Sequence, residues 1–327
     1  MGTTAITVCE PPLPQALSDE LVHFWQDTFQ TDYQAFRSVL NGEEREHNRD
    51  IFYLVQQRGQ TVGTCHLTIP ASNPELGGLG EVVTAPEFRS TGIATALCTR
   101  ARDDFSRTGG QALFLGTVNP TAARVYHRLG WRKLAGANVM AFVSDQRSPE
   151  AFLVDYFKGS AATTIVAGSS AARVPMIPLI LSPHDWQLID ANTELVSTRY
   201  ADQNSCMGLY PRYAALEREK RGAWFSAQTG RGHTVGLAST RLDGADGCQV
   251  DGFAHHDYAD VWEDLLTATI SWTVGHGVDT CWMSVLCADE EKAVRAGQLG
   301  FHQAGAATPR KISGRQVNAI RLERSAA

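Results

Sequence analysis

Runs of β-type residues and stretches of helical periodicity alternate along this chain, and the alternation occurs twice. LSDELVHFWQDTF places apolar residues at helical spacing, with Ser18 as a candidate N-cap. IFYLVQQ and TVGTCHLTI flank a Gly-containing turn and predict a hairpin. GEVVTAP predicts a third strand, and GIATALCTRARDDFSRTGG a helix that stops at a glycine pair. The strand ALFLGTVN, the helix PTAARVYHRLG and two strand candidates, WRKLAG and NVMAFVS, complete the first half.

The second half echoes the first. FYLVQQRGQTVGTCHLT is matched by WFSAQTGRGHTVGLAST, and ARVYHRLGWRKLAG by AVRAGQLGFHQAG, in the same order. A repeat this long is the duplication of a domain rather than a solenoid unit. Between the halves, SPEAFLVDYFKGSAATTIVAGSSAARVPMIP starts as a helix and turns small, polar and Pro-containing. That composition suits a linker, with room in it for the first strand of the second domain. The expected division is a domain at 1–148, a linker at 149–175 and a second domain at 176–327.

Composition narrows the classes. A chain of 327 residues with 43% hydrophobic and 20% charged residues fits a soluble two-domain protein. A net charge of −6 argues against general nucleic-acid binding. No apolar run is long enough to span a bilayer. The start, MGTTAITVCEPPLP, lacks the charged and apolar regions of a signal peptide and the hydroxyl residue that myristoylation favours. Seven cysteines, never spaced CxxC, fit reduced thiols better than a disulfide framework or a zinc site. The expectation is a cytoplasmic protein without metal, membrane or nucleic-acid partners.

Chemistry concentrates in FRSTGIATAL, residues 88–97. A helix N-terminus offers unpaired N–H groups and a positive dipole end, and Ser90, Thr91, Gly92 and Ala94 are small enough to let an anion reach them. Arg89 adds a charge-assisted donor. Neither GK[ST] nor GxGxxG is present, so this is not a nucleotide P-loop or a dinucleotide fingerprint. The segment resembles the R/Q-x-x-G-x-G/A signature of the GNAT acyltransferase superfamily. About thirty residues on, Asn119, Ala122, Tyr126, Gly130 and Trp131 are similar to the family's N-x-x-A-x-x-x-Y-x-x-x-G-[FW] segment. The likeness extends over most of residues 20–143, and the one departure in the loop is Ala94, where glycine is commoner.

The resemblance implies an α/β (α+β) fold of two GNAT-like domains in tandem. Each would be a mixed, mostly antiparallel sheet with splayed central strands, flanked by helices. It implies acetyl-CoA or another acyl-CoA as co-substrate in the gap between the fourth and fifth strands. The backbone of Val82, Val83 and Thr84 would pair with the pantetheine, as in β-augmentation. Arg89, Ser90, Thr91, Gly92, Ile93, Ala94 and Thr95 would hold the pyrophosphate, and Asn119 the pantetheine arm.

Acyl transfer to an amine needs a neutral nucleophile, a polarised carbonyl and a proton for the leaving thiolate. The resemblance points to Tyr126 as the donor; the alternative is a helix aromatic that only packs. Many relatives carry a glutamate on the fifth strand where this chain has Gly116; another lineage of the family uses a fourth-strand glutamate, so the resemblance points to Glu81 as the best remaining candidate base, against a solvated strand-end carboxylate. His66 is a lesser candidate, a water relay would need no base, and EERE at 43–46 reads as a solvated face.

Aligning PEFRSTGIATAL with AHHDYADVWEDLL pairs Arg89 with Asp257, Gly92 with Asp260 and Ala94 with Trp262; farther on, Asn119 pairs with Asp289 and Tyr126 with Ala296. The second domain is therefore expected to lack the CoA signature, and the adjacent His255 and His256 show no third metal ligand in sequence. The expected function is acyl transfer from acetyl-CoA to the primary amine of a small molecule, by direct attack. The chain would be a monomer with an internal pseudo-dimer, or a weak homodimer. The alternatives are a non-catalytic acyl-CoA-binding protein and an acyl-CoA decarboxylase or hydrolase on the same fold.

Overall fold

The hairpin and strand runs of the first half join into one sheet. The structure is a computed structural model that describes residues 5–325 apart from 160, 245 and 246; residues 1–4, part of the stretch searched for leader features, lie outside it. The chain divides into two units, the first comprising Met1–Leu134, Asn138–Phe152 and Asn204–Met207, the second Ala135–Ala137, Leu153–Gln203 and Gly208–Ala327.

The first unit contains β1 (Thr7–Cys9), α1 (Gln15–Phe29), α2 (Arg37–Leu40), β2 (Asn48–Gln57), β3 (Gln60–Pro70) and β4 (Leu76–Thr84). These are followed by α3 (Ile93–Arg107), β5 (Ala112–Gly116), α4 (Pro120–Arg128), β6 (Arg132–Lys133) and β7 (Val139–Val143). The sheet runs β1-β2-β3-β4-β5-β7-β6, and every pair is antiparallel except β4 with β5. Strand period sorts the two cores. Ile51, Tyr53 and Val55 of β2, with Cys65, Leu67 and Ile69 of β3, pack in one core with Leu97, Ala101 and Phe105 of α3. Phe52 and Leu54 pack in the other with Leu21, Val22 and Trp25 of α1. Trp25 Nε1 donates to Thr64 Oγ1 at 3.1 Å, and Trp131 Nε1 to the Leu113 carbonyl at 3.0 Å, so both of these buried indoles have a partner.

The stretch read as a linker is structured. It carries α5 (Pro149–Phe157) and β8 (Thr163–Ala167), and β8 pairs antiparallel with β11 (Gly222–Thr229). Between them lie α6 (Met176–Leu181), β9 (Leu188–Asp190), β10 (Leu195–Val196) and α7 (Tyr210–Arg218). The second unit continues with β12 (Thr234–Leu242), β13 (Cys248–Ala254), α8 (Val261–Gly275), β14 (Thr280–Leu286) and α9 (Glu290–Gln298). It ends with β15 (His302–Gln303), β16 (Thr308–Ile312) and β17 (Arg315–Ser325). Its sheet runs β8-β11-β12-β13-β14-β17-β15, the order of the first, with β16 as an added strand paired to β17. Again only the central pair, β13 with β14, is parallel. The architecture is α/β with two such sheets.

The repeated TVG has a packing cause. A Cβ on Gly63 would lie 2.4 Å from Ile93 Cγ2 of α3, and one on Gly236 would lie 2.6 Å from Leu265 Cδ1 of α8. In each unit a bare backbone lets the long helix sit on the sheet. Gly63→Val and Gly236→Val should therefore each destabilise their unit by about 1–3 kcal/mol through overpacking. Gly230→Ala, where a Cβ would meet nothing within 4 Å, should stay within about 0.5 kcal/mol of the parent. Denaturant unfolding reads both, and equal effects at the three positions would refute the packing cause.

Candidate active site

Strands β4 and β5 are paired only over Leu76–Gly78, and then part. Just past the parting, the β3–β4 register shifts between Thr64 and His66, and Glu81 takes a left-handed backbone with φ +47°. Thr64 Oγ1 donates to the Glu81 carbonyl at 2.5 Å and pins this bulge. A positive φ on a residue that is not glycine is strained by about 1–3 kcal/mol, and such strain gathers at functional sites. Beyond it run Val82, half-buried, Val83, buried in the α1 core, and Thr84, whose Oγ1 is buried without a hydrogen-bond partner.

The loop that follows is open. Ser90 (φ +64°) and Gly92 (φ +90°) turn the backbone, and a Cβ on Gly92 would meet nothing within 4 Å. Arg89 is exposed and donates from Nε to the Thr84 carbonyl at 3.3 Å; Thr91 Oγ1 donates to the Phe88 carbonyl at 2.6 Å. The first backbone bond into α3 is Ala96 N–H to the Gly92 carbonyl, and among the described residues the amides of Ile93, Ala94 and Thr95 have no carbonyl acceptor. Ile93 is buried, Ala94 half-buried, and Ser90, Thr91 and Thr95 exposed. Backbone amides at such a helix start are donors of the kind that anions use.

Asn119 caps α4: its Oδ1 accepts from the amides of Thr121 (2.9 Å) and Ala122 (3.3 Å), and its amide nitrogen remains to donate. Tyr126 is 6% exposed, with its ring 6.2 Å from that of Trp131. Burial, and then the thiols of Cys98 and Cys65, push its phenol well above the ordinary range, so it stays protonated.

Glu81 is not a solvated strand end. Its side chain is 10% exposed, and Oε2 lies 2.9 Å from Nδ1 of His66, while Oε1 receives the Tyr33 hydroxyl at 3.5 Å. The other ring nitrogen of His66, Nε2, lies 2.8 Å from Oδ1 of Asp50, which also accepts from Thr68 Oγ1. The imidazole is stacked on Phe52 (4.4 Å, 7°) and edged by Phe36. Burial alone would push the imidazolium down in pKa, but the hydrogen bonds and charges of Asp50 and Glu81 outweigh it and leave His66 above its usual value. Sequence reasoning missed Asp50 and Tyr33. The signal for the former was the polar face Thr64, His66 and Thr68, at strand period in an otherwise apolar run.

Gly116 ends β5, and a Cβ there would lie 3.3 Å from both Ser205 Cα and Cys206 N. Asn204–Met207, the late segment that belongs to the first unit, thus takes the space a β5 side chain would need; Met207 Cγ lies 3.7 Å from where a Cβ on Gly80 would be. Cys206 is buried, and that burial pushes its thiol up to about 12. The EERE stretch lies in the turns after α2, with Glu43, Arg45 and Glu46 exposed.

The sequence model of the acetyltransferase (GNAT) family matches residues 13–131. These residues are a GNAT-family domain. No curated protein matches the chain. Among solved structures, an N-acetyltransferase from Staphylococcus aureus is 10% identical, with 51% of this chain and 100% of that one covered and a TM-score of 0.41. Ribosomal-protein-S5-alanine acetyltransferase from Vibrio fischeri is 14% identical over 52% and 95%, TM-score 0.39. The yncA protein from Salmonella typhimurium, solved with its cofactor acetyl-CoA, is 14% identical over 51% and 95%, TM-score 0.40. The family match carries the identification.

Against this GNAT domain, the second unit has closed the corresponding features. The pairing of Arg89 with Asp257 needs correction. In the GNAT domain four residues separate the short 3-10 turn Pro86–Phe88 from α3; in the second unit only Ala259 and Asp260 separate His256–Tyr258 from α8. The loop is two residues shorter, Asp257 falls inside the turn, and Arg89 has no counterpart. Counted from the helix starts, Gly92 still matches Asp260 and Ala94 matches Trp262. The Trp262 indole is fully buried and donates to the Gly252 carbonyl at 2.8 Å. Asp289 does not cap α9 as Asn119 caps α4; it accepts from the amides of Gln187 (2.8 Å) and Leu188 (3.2 Å). Ala296, where the GNAT domain has Tyr126, is buried. The structure also supplies the third group that sequence lacked beside His255 and His256: ligand atoms of these two and Asp257 lie within 4.8 Å of one another. His255 Nδ1 already accepts from the Asp257 amide at 3.3 Å. Among the described residues, no helix is long and apolar enough to cross a membrane.

Proposed function

We propose that the first unit is an acetyl-CoA-dependent N-acyltransferase acting on the primary amine of a small molecule, and that the second unit binds no acyl-CoA. The observation that carries this reading is the parting of β4 from β5 immediately before an open, glycine-started helix. The residues fit the co-substrate. Thr84 keeps a buried hydroxyl without a partner, the amides of Ile93–Thr95 have no carbonyl acceptor among the described residues, and Gly92 leaves the helix start clear.

Acetyl-CoA supplies the activated acyl group as a thioester. Val82, Val83 and Thr84 offer strand backbone to the pantetheine, Arg89–Thr95 hold the pyrophosphate, and the Asn119 amide nitrogen donates to the arm. Glu81 takes a proton from the attacking amine as the new C–N bond forms. The C–S bond then breaks, and Tyr126, which carries its proton at working pH, gives it to the leaving thiolate. Product analysis with acetyl-CoA and a panel of amines tests the reading: an acetylated amine supports it. Free CoA without an acceptor would make the domain a hydrolase or decarboxylase, and no turnover would leave a binding protein.

Two further outcomes follow. Calorimetry should give one acetyl-CoA per chain, lost in Gly92→Asp and retained in Trp262→Ala; two equivalent sites, or the reverse pattern, would refute the assignment to the first unit. Tyr126→Phe should lower kcat roughly 10- to 1000-fold with little change in acetyl-CoA affinity. An unchanged kcat would return Tyr126 to a packing role.

A further inference from the structure

We propose that His66 is a positioning residue for this reaction: clamped between Asp50 and Glu81, it fixes the Glu81 carboxylate where β4 leaves β5 and supplies the positive charge beside it. The proposal rests on the N-acyltransferase reading with Glu81 as base. Its warrant is donor counting. A carboxylate only accepts, and a neutral imidazole has a single N–H. Here both ring nitrogens meet carboxylate oxygens, Nε2 with Asp50 at 2.8 Å and Nδ1 with Glu81 at 2.9 Å, so both bonds form together when the ring is an imidazolium. The ring has no exposure and no freedom to turn, being stacked on Phe52 and edged by Phe36.

One positive charge then stands between two negative ones. Asp50 on β2 and Glu81 on β4 face it, and Cys65 on β3 and Cys206 on the late segment add thiols that burial keeps protonated. Tyr33 meets Glu81 as a neutral phenol, raised by burial and then by Glu81. With Oε2 held by His66, Oε1 has only the 3.5 Å Tyr33 contact and remains to take the substrate proton. A raised histidine stabilises the fold fully below its unfolded value of about 6.5, and that contribution is lost as pH rises through the folded value.

The test is the full chain with His66→Gln and Asp50→Asn. Imidazole 15N NMR should show His66 protonated on both nitrogens at pH 7 in the parent and less so in Asp50→Asn. In His66→Gln, kcat should fall about tenfold or more while the KM for acetyl-CoA changes little, as for a group that positions the base rather than the co-substrate. Asp50→Asn should lower kcat in the same way by less. The fall in Tm above pH 6.5 should flatten in His66→Gln. A neutral His66 at pH 7, or a kcat that both variants leave unchanged, would overturn the proposal. If no amine is acetylated at all, it is the acyltransfer reading that fails, and the NMR still decides the charge.

A second inference stands on separate observations within the second unit. Arg212, Arg241, Arg310 and Lys311, with the single carboxylate Glu194, line a cavity of about 540 Å³. The chain as a whole carries −6, yet among the described residues none of these four cations forms an ion pair. Three are held by neutral acceptors: Arg212 by the Thr193 carbonyl (3.4 Å), Arg241 by Gln249 Oε1 (2.7 Å) and Arg310 by Ser284 Oγ (3.1 Å). Such tethers fix a guanidinium without neutralising it, which is what a preorganised anion site requires. We infer that this cavity binds a small anion of two or more charges, a polycarboxylate or a phosphate ester. Calorimetry at low salt with citrate and with pyrophosphate tests this, on the Gly92→Asp chain so that the loop before α3 does not compete. Binding of at least one anion, weakened tenfold or more by Arg241→Gln with Lys311→Gln, supports the site, and the better ligand names the class. No binding of either, or binding that the variants leave unchanged, overturns it.

Discussion

Backbone amides and carbonyls must find partners when they leave water, and a parallel strand pair that separates after three residues leaves a row of them without one. Much of the first unit follows from that separation of β4 and β5. The bulge at Glu81 begins where the pairing ends, held by Thr64, and α3 starts where β4 stops. Gly63 brings the first turn of α3 down onto the sheet, so its free amides lie next to the strand that has lost its neighbour. A strand edge and a helix start, each lacking partners, are complementary to one ligand that is part amide and part phosphate.

A second constraint is buried charge. Counted back from the 3-10 turns, Glu81 of the first unit corresponds to Asp251 of the second, so both units bury a carboxylate on the same strand. Their partners differ. Asp251 is fully buried, meets Lys292 at 2.6 Å and accepts the Ala191 amide on its other oxygen. Burial dominates there and raises Asp251 to about 6 despite the lysine. Both of its oxygens are used inside the unit. Glu81 has one oxygen on His66 and only a long contact on the other, so the same position is a sealed structural pair in one unit and an accessible acceptor in the other.

How much of this could be read in the sequence depended on whether the signal was local. The TVG and LG-[WF] echoes revealed the duplication because each has a packing cause at one position: Gly63 and Gly236 under a helix, Trp131 and Phe301 in a core. RSTG was legible because a helix start with small residues is itself a chemical statement. The contact of Glu81 with His66 was not, since a bulge changes which residues face each other, and one extra residue moves every side chain to the other face. Asp50 joins only through the β2–β3 register, which places it opposite Thr68. The pairing of Arg89 with Asp257 failed for a related reason: an ungapped comparison cannot see that the second loop is two residues shorter, whereas the helix starts can. The role of Ser205 and Cys206 beside Gly116 had no local signal at all.

The changes that close the second unit also strengthen it. Trp262 places an indole N–H on the carbonyl of Gly252, the residue that counts to Val82, so a strand group is satisfied by the protein itself. Asp289 gives up the cap that Asn119 makes and ties β9 to the start of α9 through two backbone amides. The shorter loop has no counterpart of the left-handed Ser90, and Asp260, which matches the left-handed Gly92, takes right-handed helical backbone (φ −67°). Each step supplies internally what a ligand would otherwise supply. An open site must leave polar groups without internal partners and keep strained turns in place, and a unit in which this end of the sheet is closed loses both costs together. On the proposed reading the strain at Glu81 and the orphaned hydroxyl of Thr84 belong with function in the first unit, because the second shows the same sheet with this end closed.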